Sequence, residues 1–214
     1  MKKVKKSKFI AIEGGEGSGK SSLLKVIKET ISDSIFITRE PGGSPYAEAI
    51  REMVLKHELA KDVNPETTLC LMFASRFDHI KNTIKPCLER GMNVITDRFD
   101  ASSFAYNVKA QSKGKLNILF WTLRKHLNII PDLYIYIDAG IKEGLRRANN
   151  RNKSSSEGNH FDAQDIKFHQ EVRKGYREFF EHKGINFVTI DGNQPFQKVK
   201  EDLVKIIKRE LRIK

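Results

Sequence analysis

Eight consecutive residues near the start of the chain, Gly14-Gly15-Glu16-Gly17-Ser18-Gly19-Lys20-Ser21, have the types and spacing needed to wrap a polyphosphate. Glycines lack a Cβ, so a turn rich in them can point successive backbone N–H groups inward at an anion. A helix beginning at Lys20 would add unpaired N–H donors and the positive end of its dipole. In this pattern Lys20 brings charge to the β- and γ-phosphates, and the hydroxyl of Ser21 can ligate Mg2+. With Ser22, these residues are the candidate ATP-binding set. An acid is also needed at a neighbouring strand end to hold or orient the metal. Asp97 closes the apolar run Val94-Ile95-Thr96 and meets that need, and Asp138, closing the next strand, is a second candidate.

The elements that must position these groups alternate along the chain. Apolar runs at 8–13, 34–38, 92–96, 132–138 and 185–190 read as short buried strands. Between them lie helical patterns, such as Leu23, Leu24, Ile27 and Ile31 on one face of 20–32. Ser44 and Pro45 mark a helix start, and a long helix runs from Asn64-Pro65 to Arg90, with a break at Pro86 and a stop at Gly91. Further helices cover 140–152, about 162–182 and the C-terminus, and the stretch 152–160 is loop-like and serine-rich. Such alternation predicts α/β architecture, a parallel sheet covered by helices on both faces. Ligands of such sheets bind at the carboxyl ends of the strands, where both the glycine turn and Asp97 fall.

Composition narrows the function classes. The 214 residues suit one domain spanning 1–214, with 39% hydrophobic and 31% charged content. No apolar run approaches the roughly 20 residues of a membrane span. Five lysines in Met1–Lys8 precede only four apolar residues, too few for a secretory leader, so a cytoplasmic protein is expected. Cys70 and Cys87 fall on one long helix, about 25 Å apart at 1.5 Å per residue, which predicts reduced thiols. The net charge of +12 raises nucleic acid as a partner. The lysines are dispersed, however, and no aromatic-basic stacking motif accompanies them. A basic cleft for small phosphorylated substrates explains the charge as well.

A phosphate loop alone does not choose among a GTPase, a motor and a small-molecule kinase. No guanine-reading N-K-x-D element is present, and a motor is usually longer. A small kinase needs arginines to hold an acceptor anion beside ATP against like-charge repulsion. Several such residues occur in grouped motifs: Thr38-Arg39-Glu40-Pro41-Gly42-Gly43, Ile50-Arg51, Leu71-Met72-Phe73-Ala74-Ser75-Arg76, and Asp97-Arg98-Phe99 followed by Ser102-Ser103-Phe104-Ala105-Tyr106. With Pro131-Asp132-Leu133 and Gly144-Leu145, these motifs make the chain resemble thymidylate kinases of the bacterial type, from about Lys8 to the C-terminal helix.

The resemblance implies a three-layer P-loop nucleoside monophosphate kinase fold: a five-stranded parallel sheet flanked by helices, with a lid over about 147–162. It implies transfer of phosphate from Mg-ATP to dTMP, giving dTDP, by a homodimer. Phe73 would stack on thymine, Arg76 would bond a base carbonyl, and Ser102, Ser103 and Asn107 would lie by the base edge. Arg51 and Arg98 would hold the acceptor phosphate with Arg39 nearby. Glu16 would reach the sugar 3′-hydroxyl, and Tyr106 would press on the ribose C2′. Lys20, Asp97, Arg98 and Glu16 are the implied catalytic residues, with Ser21 and Asp97 at the metal.

Two features depart from the family pattern. Asn107 stands where glutamine is frequent, and Asn159-His160-Phe161-Asp162 replaces a D-R-x-E lid motif, so the lid arginine is missing. Arg151, Arg147 or Lys153 are the candidate replacements, Arg151 foremost. A kinase of broader nucleotide range and a nucleic-acid-dependent ATPase stay open as alternatives.

Overall fold

The computed structural model describes residues 7–31, 35–154, 161 and 164–213, with the helical backbone alone for 149–154. Five parallel strands form one sheet: β1 (Phe9–Gly14), β2 (Ile35–Arg39), β3 (Asn93–Asp97), β4 (Leu133–Asp138) and β5 (Phe187–Asp191), in the order β2-β3-β1-β4-β5. All five expected strands are present, with their ends shifted by a residue or two. Alternation along β1 sorts its side chains to the two faces. Phe9 and Ala11 join an aromatic-rich core, whereas Ile10 and Ile12 join an aliphatic one. The aliphatic face is covered by α1 (Lys20–Thr30) and α9 (Phe196–Leu211), which supply Leu23, Ile27, Leu203 and Ile207.

The aromatic face carries the longer insertions. α2 (Pro45–Leu55) follows β2 and packs on α3 (Pro65–His79). A π-helical turn, Ile80–Ile84, joins α3 to α4 (Lys85–Glu89). The expected break in the long helix is therefore this widened turn before Pro86, which has no N–H to give to the preceding turn. Ser44 does sit at the start of α2 ahead of Pro45, but its hydroxyl donates to Asp78 Oδ2 at 2.5 Å and caps nothing. Asn64 does cap α3, accepting from the Thr67 N–H at 2.7 Å.

After β3 come α5 (Asp100–Ser103), a π-helical stretch Phe104–Gln111, and α6 (Asn117–Lys125). The π-helical stretch lies against α8 (Ile166–Glu181), and Gly175 of α8 makes the approach close. A Cβ there would stand 2.7 Å from Ala105 Cα. α7 (Ile141–Ser154) follows β4. Residues 155–160 and 162 of the expected lid, residue 163 and the basic start 1–6 lie outside the described residues. Among the described residues no helix is long and apolar enough to cross a membrane, and Cys70 and Cys87 are free thiols on α3 and α4.

Candidate active site

β1 delivers the chain into the glycine turn at the centre of the sheet. Gly17 and Gly19 take φ of 64° and 88°, a left-handed backbone that glycine adopts without penalty. Gly17 also faces α7: a Cβ there would meet the Gly144 carbonyl oxygen at 1.8 Å. The phosphate loop and α7 are thus in backbone contact. Lys20 is 7% exposed, and its ammonium donates to the Gly14 and Gly15 carbonyls and to Ser18 Oγ, at 2.9, 3.1 and 3.1 Å. Burial, with Arg98 adding to it, brings the Lys20 ammonium down to about 8. An incoming polyphosphate would favour the charged form further and raise it again.

Pairing of β1 with β3 sets Ile12 beside Asp97, and pairing of β2 with β3 sets Arg39 beside Asp97. One oxygen of Asp97, Oδ1, is buried with no hydrogen-bond partner. Such an atom is costly unless something binds it. A cation near the phosphates fits it, and Ser21, exposed in the first turn of α1, offers the hydroxyl. Magnesium held by one carboxylate and substrate phosphates needs no dedicated cage. Asp138, the second candidate, is committed elsewhere. Its oxygens accept from Arg173 at 2.6 and 3.0 Å and from Arg177 at 3.0 Å.

Arg98 follows Asp97 in a left-handed conformation, φ 68°, which is rare for a residue with a side chain. Its N–H is held by the Ile12 carbonyl, and its own carbonyl accepts from Thr96 Oγ1, both at 2.9 Å. The guanidinium donates to Glu16 Oε1 at 2.7 Å, the Gly14 carbonyl and Tyr176 hydroxyl at 2.9 Å, and Ser102 at 3.2 Å. Tyr106 donates to the same Glu16 oxygen at 2.9 Å. Glu16, expected at the sugar, is therefore tied to Arg98 and Tyr106 in this structure. Behind this cluster lies Glu13, fully buried, whose carboxylate accepts from the Phe99 N–H at 2.8 Å and Ser102 Oγ at 2.6 Å.

These residues open into a cleft of ≈ 740 Å³, which Arg39, Arg51, Arg76, Ser103, Tyr106, Asn107 and Arg147 also line. Arg51 donates to the Pro41 carbonyl at 2.8 Å, and Arg39 pairs with Glu48 at 3.0 Å. Residues four apart share a helical face, so Ser102 and Ser103 at the end of α5 share the cleft wall with Tyr106 and Asn107 of the π-helical stretch. Arg76 is 2% exposed and Asn107 1%, and each has one buried atom without a protein partner, Arg76 Nη1 and Asn107 Oδ1.

Phe73 requires correction. It is 1% exposed and packs edge-on against Phe120, centroids 5.6 Å apart, in the aromatic core and not in the cleft. The side chain that lines the cleft one turn before Arg76 is Met72. Residues four apart share a helix face, which the spacing from Arg76 could have revealed. Glu13, Tyr176 and the Glu40 partner of Arg76 carry no local signal of these roles in the sequence. Of the lid candidates, Arg147 lines the cleft and pairs with Glu143 at 2.8 Å. The side chains of Arg151 and Lys153, and all of His160, lie outside the described residues.

Burial pushes the Glu13 carboxyl up to about 7 from its ordinary 4.5. Between those values the folded chain keeps a proton that the unfolded chain has released, so stability falls as pH rises through the window. The full effect is on the order of 3 kcal/mol. Urea unfolding at pH 5 and pH 8 should show this loss in the wild-type chain and not in Glu13→Gln. Parallel behaviour of the two would contradict it.

Comparisons with known proteins agree with this geometry. A family model described as thymidylate kinase matches residues 12–203. A thymidylate kinase of Halalkalibacterium halodurans is 37% identical over 206 residues, covering 95% of this chain and 97% of that protein. One from Mycoplasma capricolum is 35% identical over 208 residues, with 95% and 96% covered. The crystal structure of thymidylate kinase from Ehrlichia chaffeensis shares the fold with a TM-score of 0.70 at 24% identity, over 94% of this chain and 98% of that one. A phosphate loop, an arginine-lined acceptor cleft and relatives matched from end to end have one common explanation: the chain belongs to the thymidylate kinase family.

Proposed function

We propose that this chain transfers the γ-phosphoryl group of ATP to the phosphate of dTMP, giving ADP and dTDP. The observation that carries the choice of base is the pair of unpartnered buried atoms in the cleft, the Arg76 Nη1 donor and the Asn107 Oδ1 acceptor. Thymine offers O4 as an acceptor and N3–H as a donor and so complements the pair. Cytosine carries the reverse pattern and leaves both protein groups unpaired, the kind of mismatch a polar site rejects strongly. Met72 supplies the apolar surface against the ring, in place of the aromatic face expected from Phe73.

The acceptor phosphate falls to Arg98, Arg51 and Arg39, whose guanidinium groups suit planar bidentate contact. Its attacking oxygen is already anionic near neutral pH, since the second phosphate pKa is about 6, so no general base is required. That oxygen bonds to the γ-phosphorus as the bond to the β,γ-bridging oxygen breaks, and ADP leaves with the electron pair. The loop N–H groups and Lys20 hold the donor phosphates. Arg98, bonded to the loop carbonyl of Gly14 and to Glu16, bridges donor and acceptor. Mg2+ held by Ser21 and Asp97 would neutralise charge on the transferring group. Tyr106, anchored on Glu16, stands by the ribose and disfavours a 2′-hydroxyl. Arg147 is the described cation best placed to act from the lid side.

Two further properties belong to this proposal. A homodimer is supported by exposed apolar pairs one heptad apart on two helices that pack together, Tyr46 and Met53 on α2 and Cys70 and Phe77 on α3. Sedimentation at the monomer mass of 24.6 kDa would remove it. Free Cys70 and Cys87 support residence in a reducing cytoplasm, which fractionation of the activity checks.

The test is ADP release with Mg-ATP and a panel of nucleoside monophosphates. Release should depend on dTMP and fall strongly with AMP, CMP and GMP. Met72→Ala should raise KM for dTMP about two- to tenfold with kcat little changed. Equal use of all acceptors would favour the broad-range alternative. Release independent of acceptor but stimulated by nucleic acid would favour the ATPase.

A further inference from the structure

From Arg76 and Glu40 in the cleft wall a line of four side chains runs back through His79 to Thr38 on the sheet. Arg76 donates Nε to Glu40 Oε2 at 2.7 Å and Nη2 to Ser103 Oγ at 3.0 Å. Its guanidinium also lies over the Phe73 and Phe99 rings, 4.8 and 5.0 Å from their centroids. These contacts leave Nη1 as the group without a protein partner. The second oxygen of Glu40, Oε1, lies 2.9 Å from His79 Nδ1. His79 is 0% exposed, and its Nε2 lies 2.8 Å from Thr38 Oγ1 on β2.

The hydrogen-bonding roles follow from chemistry. An ionised carboxylate only accepts, so His79 Nδ1 carries a proton, and in the neutral ring Nε2 accepts from the Thr38 hydroxyl. The ring cannot slide away. It lies against the backbone of Gly43, where a Cβ would stand 2.4 Å from Nε2. Glu40 is thus pinned at both oxygens, by Arg76 on one side and by a histidine fixed to the sheet on the other. Without the histidine, Oε1 would be buried and unpaired, and Glu40 would turn to find a donor, taking Arg76 with it.

We propose that His79 is a positioning residue for recognition of the acceptor base, acting through Glu40 on the Nη1 edge of Arg76. The proposal rests on the thymidylate reading and extends it to a residue that does not touch the cleft. Its experiment compares the wild-type chain with His79→Leu, His79→Asn and Thr38→Val. Each is assayed for dTMP and ATP kinetics and for binding of 2-deoxyribose 5-phosphate, an acceptor fragment with no base. Asparagine can place its amide N–H₂ near the position of Nδ1 and keep the bond to Glu40.

His79→Leu should raise KM for dTMP about tenfold, with kcat, KM for ATP and affinity for the base-free fragment within about twofold of wild type. His79→Asn should restore most of the loss. Thr38→Val, a gentler change that leaves the histidine in place, should raise KM for dTMP about threefold and gives the answer should His79→Leu not fold. Unchanged dTMP KM in the variants that fold overturns the proposal. So does equal weakening of dTMP and the base-free fragment, which would mark a general loosening of the cleft. A wild-type chain inert toward dTMP would overturn the thymidylate reading and this inference together, whereas an active wild type with insensitive variants overturns the inference alone.

Discussion

The guanidinium of Arg98 sits where the phosphate loop, the end of β3 and helix α8 converge, and its fixed position is the constraint on which the cleft depends. Two phosphate-bearing ligands repel each other, so the protein must hold cations between them before either arrives. The left-handed backbone at Arg98 turns the side chain toward the loop, and bonds to Ile12, Gly14, Glu16, Ser102 and Tyr176 hold it there. A backbone conformation of this kind costs of order 1–3 kcal/mol and persists only where its surroundings over-determine it. Here the parallel pairing of β1 with β3 supplies that surrounding, because it sets Ile12 beside Asp97.

The same logic of groups fixed in advance extends outward. Glu13 and Lys20 are both buried at the loop, one pushed up to about 7 and the other brought down to about 8 by loss of water. Arg76 and Glu40 form a buried pair on the base side, 2% and 3% exposed, and Asp100 binds Arg124 and the Tyr134 hydroxyl behind α5. Breaking one partner of a buried pair costs about 3–5 kcal/mol, so these groups hold each other in one arrangement. The aromatic core provides the rigid wall behind them. Fixed dipoles and charges of this kind need little rearrangement during reaction, which is how a protein stabilises a transferring phosphoryl group.

Local signals made much of this legible in the sequence. The glycine turn, Lys20 and Asp97 announce themselves because their chemistry depends on neighbours in the chain, and the strands follow from short apolar runs. Strand order does not follow from such runs, since β1 gains its neighbours β3 and β4 only in three dimensions. An aromatic side chain at Phe73 suggests a stacking face, whereas helix geometry puts Met72 with Arg76 on the cleft side. Tyr176 lies 78 residues from Arg98 and Glu40 lies 36 from Arg76, separations at which no sequence period survives. The π-helical stretch 104–111 leaves no hydrophobic pattern distinct from an ordinary helix. Ser44 looked like a cap, but a tertiary acceptor, Asp78, won its hydroxyl.

The central claim is that one cleft holds ATP and a thymine nucleotide end to end, with the base chosen by Arg76 and Asn107. Calorimetric titration with a single molecule that joins adenosine to thymidine through five phosphates tests it most directly, set against its counterpart with two adenosines. The account predicts that the mixed molecule binds at least about a hundredfold more tightly, because both ends then find their own walls. Equal affinity for the two would contradict it, for the cleft would then be gripping phosphates without reading the base.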